Sequence, residues 1–424
     1  MIDRKTVDSY AVFWLLGIAF LWWPVLLLRS IADRRPATRR SVALLVTTVC
    51  LAASLVVAAA AGASPSRVLG AFANLSVWIV LWRTIARKPT VGEVDDIIRG
   101  VVDLAMLQGI LVVGARIIYP WLAGTTLPLA RALPSSITAD PNVAAFSTVR
   151  LAIPDYFGHS VLRTSGIFGN PTWAGAFAAV AILLLLFARG SLSATMQRPI
   201  VRAALLALTG LTLYFSYARV DDLALVVAIL AVIATKAKAF LHPGLWMASV
   251  CAVAAATVAA IPALPLATWF DQINRTRRGS LVSREDIYGP TLRAIARSPT
   301  PILGSGVKHR VLGLVASLGT HSTYLGLAYR GGILAAVAFA LFIMCLGYRA
   351  FERNASLAFG LACFLALFCV TDDIDAGHLL PLLLIIIYGL VTISLSELPT
   401  DASPPGTNQS SLFNDAAAQL GRRR

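Results

Sequence analysis

Charged residues are scarce in this sequence. They make up 13% of its 424 residues, against 58% hydrophobic residues, and the mean hydropathy is +0.76. Soluble domains are about 25% charged. A single water-soluble core could not bury so much apolar sequence, so we expect the lipid bilayer to be its solvent. The composition excludes an ordinary cytosolic enzyme, a disulfide-rich secreted scaffold and a disordered chain.

Cysteine and the common catalytic signatures are also scarce. The five cysteines lie in apolar stretches without metal-ligand spacing, which is typical of small core residues. The sequence has no HExxH motif, and Gly304-Ser305-Gly306-Val307-Lys308 lacks the spacing of a P-loop, so we interpret it as a flexible turn. We therefore expect neither a metal nor another cofactor. The aspartates at 372–375 are the alternative, because clustered carboxylates can bind Mg²⁺ or Ca²⁺.

Long hydrophobic runs are abundant. A helix needs about 20 mostly apolar residues to cross a bilayer. Eleven stretches meet this need: 10–29, 41–62, 68–83, 100–119, 171–188, 202–217, 220–235, 244–266, 322–346, 356–371 and 379–395. We predict an all-α polytopic membrane protein with eleven or twelve transmembrane helices over 1–397. A disordered cytoplasmic tail, 398–424, follows.

Lysine and arginine are concentrated in every second short loop, which predicts that these loops are cytoplasmic. The first apolar run precedes a basic stretch and not a cleavage site, so we expect it to be retained as a span with the N-terminus outside. Two long loops, about 120–170 and 267–321, then fall on the outer face. The second loop is strongly basic, which suits phosphate or pyrophosphate. Contact with lipid headgroups is the alternative.

His321 lies where the second long loop meets a predicted span. A neutral imidazole at the membrane surface is suited to take a proton from a sugar hydroxyl. Neighbouring arginines disfavour the imidazolium and favour this neutral form. The alternative is a capping or packed polar residue at a helix start. Arg330, further along the same span, either extends to the outer headgroups or lines an outer cavity.

Four segments, in order and on the predicted outer face, are similar to motifs of the O-antigen ligase and polymerase superfamily. They cover about residues 160–375. They are Arg163-Thr164-Ser165-Gly166-Ile167-Phe168-Gly169-Asn170-Pro171, Ser216-Tyr217-Ala218-Arg219, Ser283-Arg284 through Pro301-Ile302-Leu303-Gly304-Ser305-Gly306, and His321-Ser322 with Gly332. The sequence departs from the family pattern at Ser322, where Asn is commoner, and at Ala335, where a last glycine is expected.

The resemblance implies a GT-C-like fold and an inverting, metal-independent glycosyltransferase at the outer face of the bacterial plasma membrane. Such a protein transfers a glycan from undecaprenyl pyrophosphate to an acceptor hydroxyl in lipopolysaccharide or polysaccharide biosynthesis. The acceptor is left open: it is lipid A core for a ligase, a growing glycan for a polymerase, or a protein hydroxyl. The implied site residues are His321 as general base, Arg163, Arg219 and Arg284 for pyrophosphate, and Asp372, Asp373, Arg278 and Tyr324 in support.

Two other classes of protein remain open. A transporter or flippase of lipid-linked glycans would share the donor, but such folds tend to contain internal repeats, and the two halves of this sequence have no repeated motif. The long basic loop ending in a histidine also favours an enzyme. A structural partner of a polysaccharide assembly machine is the third possibility, and only the motif set argues against it.

Overall fold

A computed structural model describes residues 42–122, 152–153, 163–164, 171–240, 278–309, 317–372 and 379–393. Several predictions lie outside the described residues. They are the spans 10–29 and 244–266, most of the long loop 120–170, Asp373 and the tail 398–424.

The described chain is almost entirely helical. The helices are α1 Val42–Ala60, α2 Pro65–Ala86, α3 Val91–Leu122, α4 Pro171–Phe187, α5 Ala194–Gln197, α6 Pro199–Ser216, α7 Arg219–Phe240, α8 Arg278–Ala296, α9 Thr323–Gly331, α10 Ile333–Glu352, α11 Ser356–Thr371 and α12 Leu379–Ile393. Two short strands, β1 Ala152–Ile153 and β2 Arg163–Thr164, pair antiparallel. Each predicted span within the described residues falls on one helix, except 322–346, which is divided between α9 and α10.

The length and the hydropathy of the described helices identify which of them can cross a membrane. Five are long and apolar enough, and they lie at Val42–Ala60, Arg67–Ala86, Val91–Gly114, Pro199–Ser216 and Ile333–Glu352. Three shorter apolar helices lie at Thr172–Phe187, Ser356–Thr371 and Leu379–Ile393. The protein is therefore an all-α polytopic membrane protein, as the sequence predicts.

Contacts of helix residues with neighbouring loops define two ends of the bundle. At one end, which we call the His321 end, Arg67 Nη1 donates to the Lys308 carbonyl at 3.1 Å. At the opposite end, the Lys238 end, Arg99 Nε donates to the Ser191 carbonyl at 2.9 Å. The Lys238 end collects the basic residues of the described loops that the sequence analysis predicts to be cytoplasmic.

Helices α7 and α11 pack antiparallel and connect the two ends. Lys238 Nζ donates to the carbonyl of Phe351 at 3.0 Å. Phe351 lies in the last turn of α10, shortly before α11 begins. Gly360 in α11 lies directly against Ala228 in α7. From this crossing, α7 back to Arg219 and α11 forward to its last residue are about equally long, roughly 15 Å at 1.5 Å per residue. Arg219 therefore lies at the His321 end, level with the end of α11.

The prediction of one continuous span over 322–346 is wrong, because the chain breaks at Gly332 between α9 and α10. Gly332 has φ +86°, a left-handed conformation that interrupts the helical hydrogen bonds. The neighbouring segment 301–306 replaces those bonds. Ser305 N donates to the Tyr329 carbonyl at 2.7 Å, Gly306 N to Arg330 at 3.0 Å, and Ile333 N to Pro301 at 3.0 Å.

The interpretation of residues 304–308 as a flexible turn is also corrected. Gly306 and Val307 are buried, and Gly304 N donates to Ser54 Oγ of α1 at 3.1 Å. A Cβ atom at Gly306 would collide with the Ser54 carbonyl, and one at Gly332 with the Ile302 carbonyl. The glycines of the third and fourth motifs therefore allow two backbones to touch, and the turn is part of the packed bundle.

We expect Gly332→Ala to destabilise the protein by at least about 2 kcal/mol, because it adds both a collision and an unfavourable φ. Gly210→Ala is the matched control. Gly210 is helical with open space around it, and alanine favours a helix there by about 1 kcal/mol. Thermal unfolding followed by tryptophan fluorescence measures both variants. Equal unfolding temperatures of the two variants would contradict this account of the break.

Candidate active site

His321 lies in the turn just before α9, and its own backbone is in the left-handed region with φ +63°. The capping role at this helix belongs to the next residue, since Ser322 Oγ accepts from Leu325 N at 3.3 Å. The side chain of His321 is partly exposed. The alternative in which His321 itself caps the helix is thereby excluded.

Helix α8, in the second long loop, holds the His321 turn at two points. Tyr288 Oη donates to the His321 carbonyl, and Thr291 Oγ1 accepts from Gly319 N at 3.1 Å. Tyr288 and Thr291 are three residues apart and share one face of the helix. Arg284 lies one turn before Tyr288 in α8, and Arg278 is the first residue of the helix. The sequence analysis did not identify Tyr288 or Thr291.

The end of α11 contacts the same turn. Thr323 Oγ1 donates to the Asp372 carbonyl at 2.8 Å, and Ser322 Oγ lies 3.4 Å from the Cys369 carbonyl oxygen. Asp372 is 7% exposed. The structure thus brings His321 and Asp372 together through the residues that follow His321.

Arg219 is the first residue of α7 and is half-buried. The turn before it is compact: Tyr217 has φ +49°, and Ala218 N donates to Ser216 Oγ at 3.2 Å. The turn packs on α4, where a Cβ atom at Gly175 would collide with the Asp221 carboxylate. The close approach explains why the residues of this turn that face Gly175, Ser216 and Ala218, are small.

Arg163 lies in β2, opposite Ile153 of β1. Strand β2 contacts α6, the helix that precedes the Arg219 turn, and α4, the helix on which that turn packs. The first and second motifs therefore lie side by side. The α7–α11 pair connects them to the turn of His321, so the described parts of the four motifs lie at the same end of the bundle.

Tyr324 and Arg330, both in α9, face protein. Tyr324 Oη lies 3.5 Å from the Ala366 carbonyl oxygen, and its ring lies 6.0 Å from that of Phe339. Arg330 is 4% exposed, and its Nε donates to the Gly326 carbonyl at 3.3 Å. Arg330 therefore does not extend to the headgroups, and Tyr324 packs against α10 and α11.

A second polar cluster at the His321 end was missed in the sequence analysis. His309 Nδ1 lies 2.9 Å from Tyr329 Oη, and the His309 carbonyl accepts from Leu318 N at 2.9 Å. Burial and the nearby Arg67 guanidinium lower the pKa of His309. The cluster ties the turn after α1 to the residues that precede His321. No local pattern in the sequence indicates this cluster, because Lys308-His309 and Tyr329 come together only in the fold.

Within the part of the chain that the structure describes, no set of three or more His, Cys, Asp or Glu side chains is arranged to hold a metal ion. The charged side chains at this end are mainly basic, and they include the exposed Arg293 of α8 and the exposed Arg297 that directly follows this helix. This arrangement suits an anionic ligand more than a cation.

We expect Arg67→Gln to raise the pKa of His309, because the substitution removes the positive charge that opposes protonation. NMR titration of the histidine ring in detergent micelles measures this shift, and His309→Gln assigns the signal. Since the folded state holds His309 neutral, the wild-type protein should lose stability as the pH falls below about 6.5, the pKa in the unfolded chain. A pKa of His309 that is unchanged by Arg67→Gln would contradict the electrostatic account.

This part of the chain is similar to a known protein family. Residues 203–340 match the family model described as O-antigen ligase. They include Arg219, Arg278, Arg284, His321 and Tyr324. No curated protein matches the chain. The match confirms, over residues 203–340, the similarity to the O-antigen ligase and polymerase superfamily that the sequence motifs indicate.

Proposed function

We propose that this membrane protein transfers a glycan from undecaprenyl pyrophosphate to an acceptor hydroxyl at the extracytoplasmic face of the bacterial plasma membrane. The O-antigen ligase match over residues 203–340 supports a ligase or polymerase role. The observation that carries the finer proposal is that the described parts of the four motifs lie at the His321 end. A partly exposed histidine lies there among basic segments.

His321 acts as general base in the proposed reaction. Its imidazole takes the proton of the acceptor hydroxyl while the hydroxyl oxygen attacks the anomeric carbon. The bond from that carbon to the pyrophosphate oxygen breaks, and the electron pair leaves with the pyrophosphate. Attack opposite the leaving group inverts the anomeric centre.

Arginines stabilise the leaving group. Arg163, Arg219 and Arg284 are the proposed pyrophosphate ligands, because a guanidinium binds phosphate oxygens with two parallel hydrogen bonds. The charge that develops on the pyrophosphate is then neutralised without a metal ion. Asp372, with Asp373 as the alternative, has a supporting role beside the histidine.

The proposed sidedness follows from charge. The basic loops collect at the Lys238 end, and the positive-inside rule makes that end cytoplasmic. The His321 end then faces outward, where lipid-linked glycans are available and nucleotide sugars are not. Grooves between the helices would hold the polyprenyl tail of the donor.

We expect His321→Ala to lower the rate of glycan transfer about 10²–10⁴-fold, the usual contribution of a general base. His321→Gln should retain a trace of activity through positioning alone. The assay uses purified protein in nanodiscs, undecaprenyl-pyrophosphate-linked glycan and acceptor, across a range of pH and with EDTA present. Donor binding by the alanine variant is the control for folding. A wild-type rate for His321→Ala at neutral pH would remove the base from this mechanism.

We expect Arg219→Lys and Arg284→Lys to lower kcat/KM about ten- to a hundredfold, or roughly 1.5–3 kcal/mol per contact. Lysine keeps the charge but cannot make the two-pronged contact with phosphate. Arg189→Lys is the matched control, because Arg189 is exposed at the Lys238 end. The same kinetic assay measures all three variants. Full activity in both site variants would contradict bidentate binding.

A further inference from the structure

We infer that Tyr288 is a positioning residue for His321, and that its hydroxyl holds the turn in which the proposed base lies. The inference rests on the proposed function, because it assigns Tyr288 a role in the same transfer reaction. Tyr288 itself contacts the backbone of the turn and the end of α11. It acts on the reaction through His321.

The contacts of Tyr288 join three segments of the chain. Its hydroxyl donates to the His321 carbonyl and lies 3.5 Å from the Val370 carbonyl oxygen near the end of α11. Val370 is in the same helical turn as Cys369, whose carbonyl lies close to Ser322. One phenol therefore bridges helix α8, the His321 turn and the α11 terminus.

The backbone of His321 needs such support. A residue other than glycine in the left-handed region is less stable than in an ordinary conformation and persists only where its surroundings fix it. The carbonyl that accepts from Tyr288 belongs to the peptide between His321 and the helix cap Ser322. Fixing this peptide fixes the direction in which the His321 side chain leaves the backbone.

Thr291 provides a second anchor from the same helix. It is fully buried, accepts from Gly319 N and donates to the Ile287 carbonyl at 2.6 Å. Two anchors on one helical face prevent the turn from rotating about either contact. Between them lie Gly289 and Pro290, and proline within a helix bends it.

Helix α8 also carries Arg284, one turn before Tyr288. In the proposed reaction this arginine binds the pyrophosphate. The base and one ligand of the leaving group are then held by a single helix, with Tyr288 between them in sequence. Correct placement of both groups before reaction is a large source of catalytic rate.

Tyr288→Phe tests the inference, since it removes only the hydroxyl. We expect kcat to fall about three- to tenfold, the effect of losing one such hydrogen bond, while KM for the lipid-linked donor stays within twofold. Tyr348→Phe is the matched control, because Tyr348 is 67% exposed on α10. An active wild-type protein with unchanged kcat in Tyr288→Phe overturns this inference alone. No transfer by the wild-type protein overturns the proposed function.

Hydrogen exchange gives a readout that does not depend on activity. In nanodiscs, Tyr288→Phe should increase amide exchange in peptides that cover 317–326 and leave exchange in α10 unchanged. Unchanged exchange at 317–326 overturns positioning by Tyr288, even if kcat falls, because the hydroxyl would then act on substrate.

Thr291→Ser provides a second variant that keeps the hydroxyl of the other anchor. We expect it to retain near wild-type kcat and exchange, whereas Thr291→Val should reproduce the pattern of Tyr288→Phe. A Thr291→Val protein with wild-type kcat and exchange at 317–326 would contradict the two-point anchoring of the turn.

Discussion

Backbone groups at the break between α9 and α10 need hydrogen-bond partners, and this need determines the geometry of the His321 end. Lipid offers no partners, so irregular backbone at membrane depth must be satisfied by protein. Segment 301–306 does this: its N–H groups bind the last carbonyls of α9, and its Pro301 carbonyl binds the first free N–H of α10. The loop that leads from α8 to His321 is thereby fixed to the membrane bundle.

The His321 turn inherits its position from this arrangement. Helix α9 follows the turn directly, so a fixed α9 fixes one side of it. The end of α11 contacts the turn through Thr323, and α8 contacts it through Tyr288 and Thr291. Two elements that are distant in sequence, α8 and α11, thus converge with α9 on a short, strained turn. Catalytic residues on turns are precise only when rigid elements support them in this way.

Local patterns in the sequence predicted the helices well, because hydropathy along the chain decides which segments enter a membrane. The break at Gly332 was missed, since the apolar run is continuous and its interruption depends on hydrogen bonds to residues 301–306. The glycine-rich turn was misinterpreted for the same reason. His321 and the arginines were predicted from motif spacing, but Tyr288 and Thr291 were not, because hydroxyl contacts with a distant turn leave no local pattern. The only indication of Tyr288 in the sequence is its position one helical turn after Arg284.

The proposed reaction, with a base near arginines, raises a physical difficulty. Positive charge near an imidazole favours the neutral form that the reaction requires, but it also weakens the imidazole as a proton acceptor. In the proposed reaction the donor resolves this conflict, because its pyrophosphate brings negative charge to the same arginines. In this proposal the pyrophosphate would offset the positive charge that opposes protonation of the base, at the step in which the acceptor loses its proton. The coupling depends on the distance between the pyrophosphate ligands and the base. A single helix that holds the His321 turn and carries Arg284 would keep that distance constant.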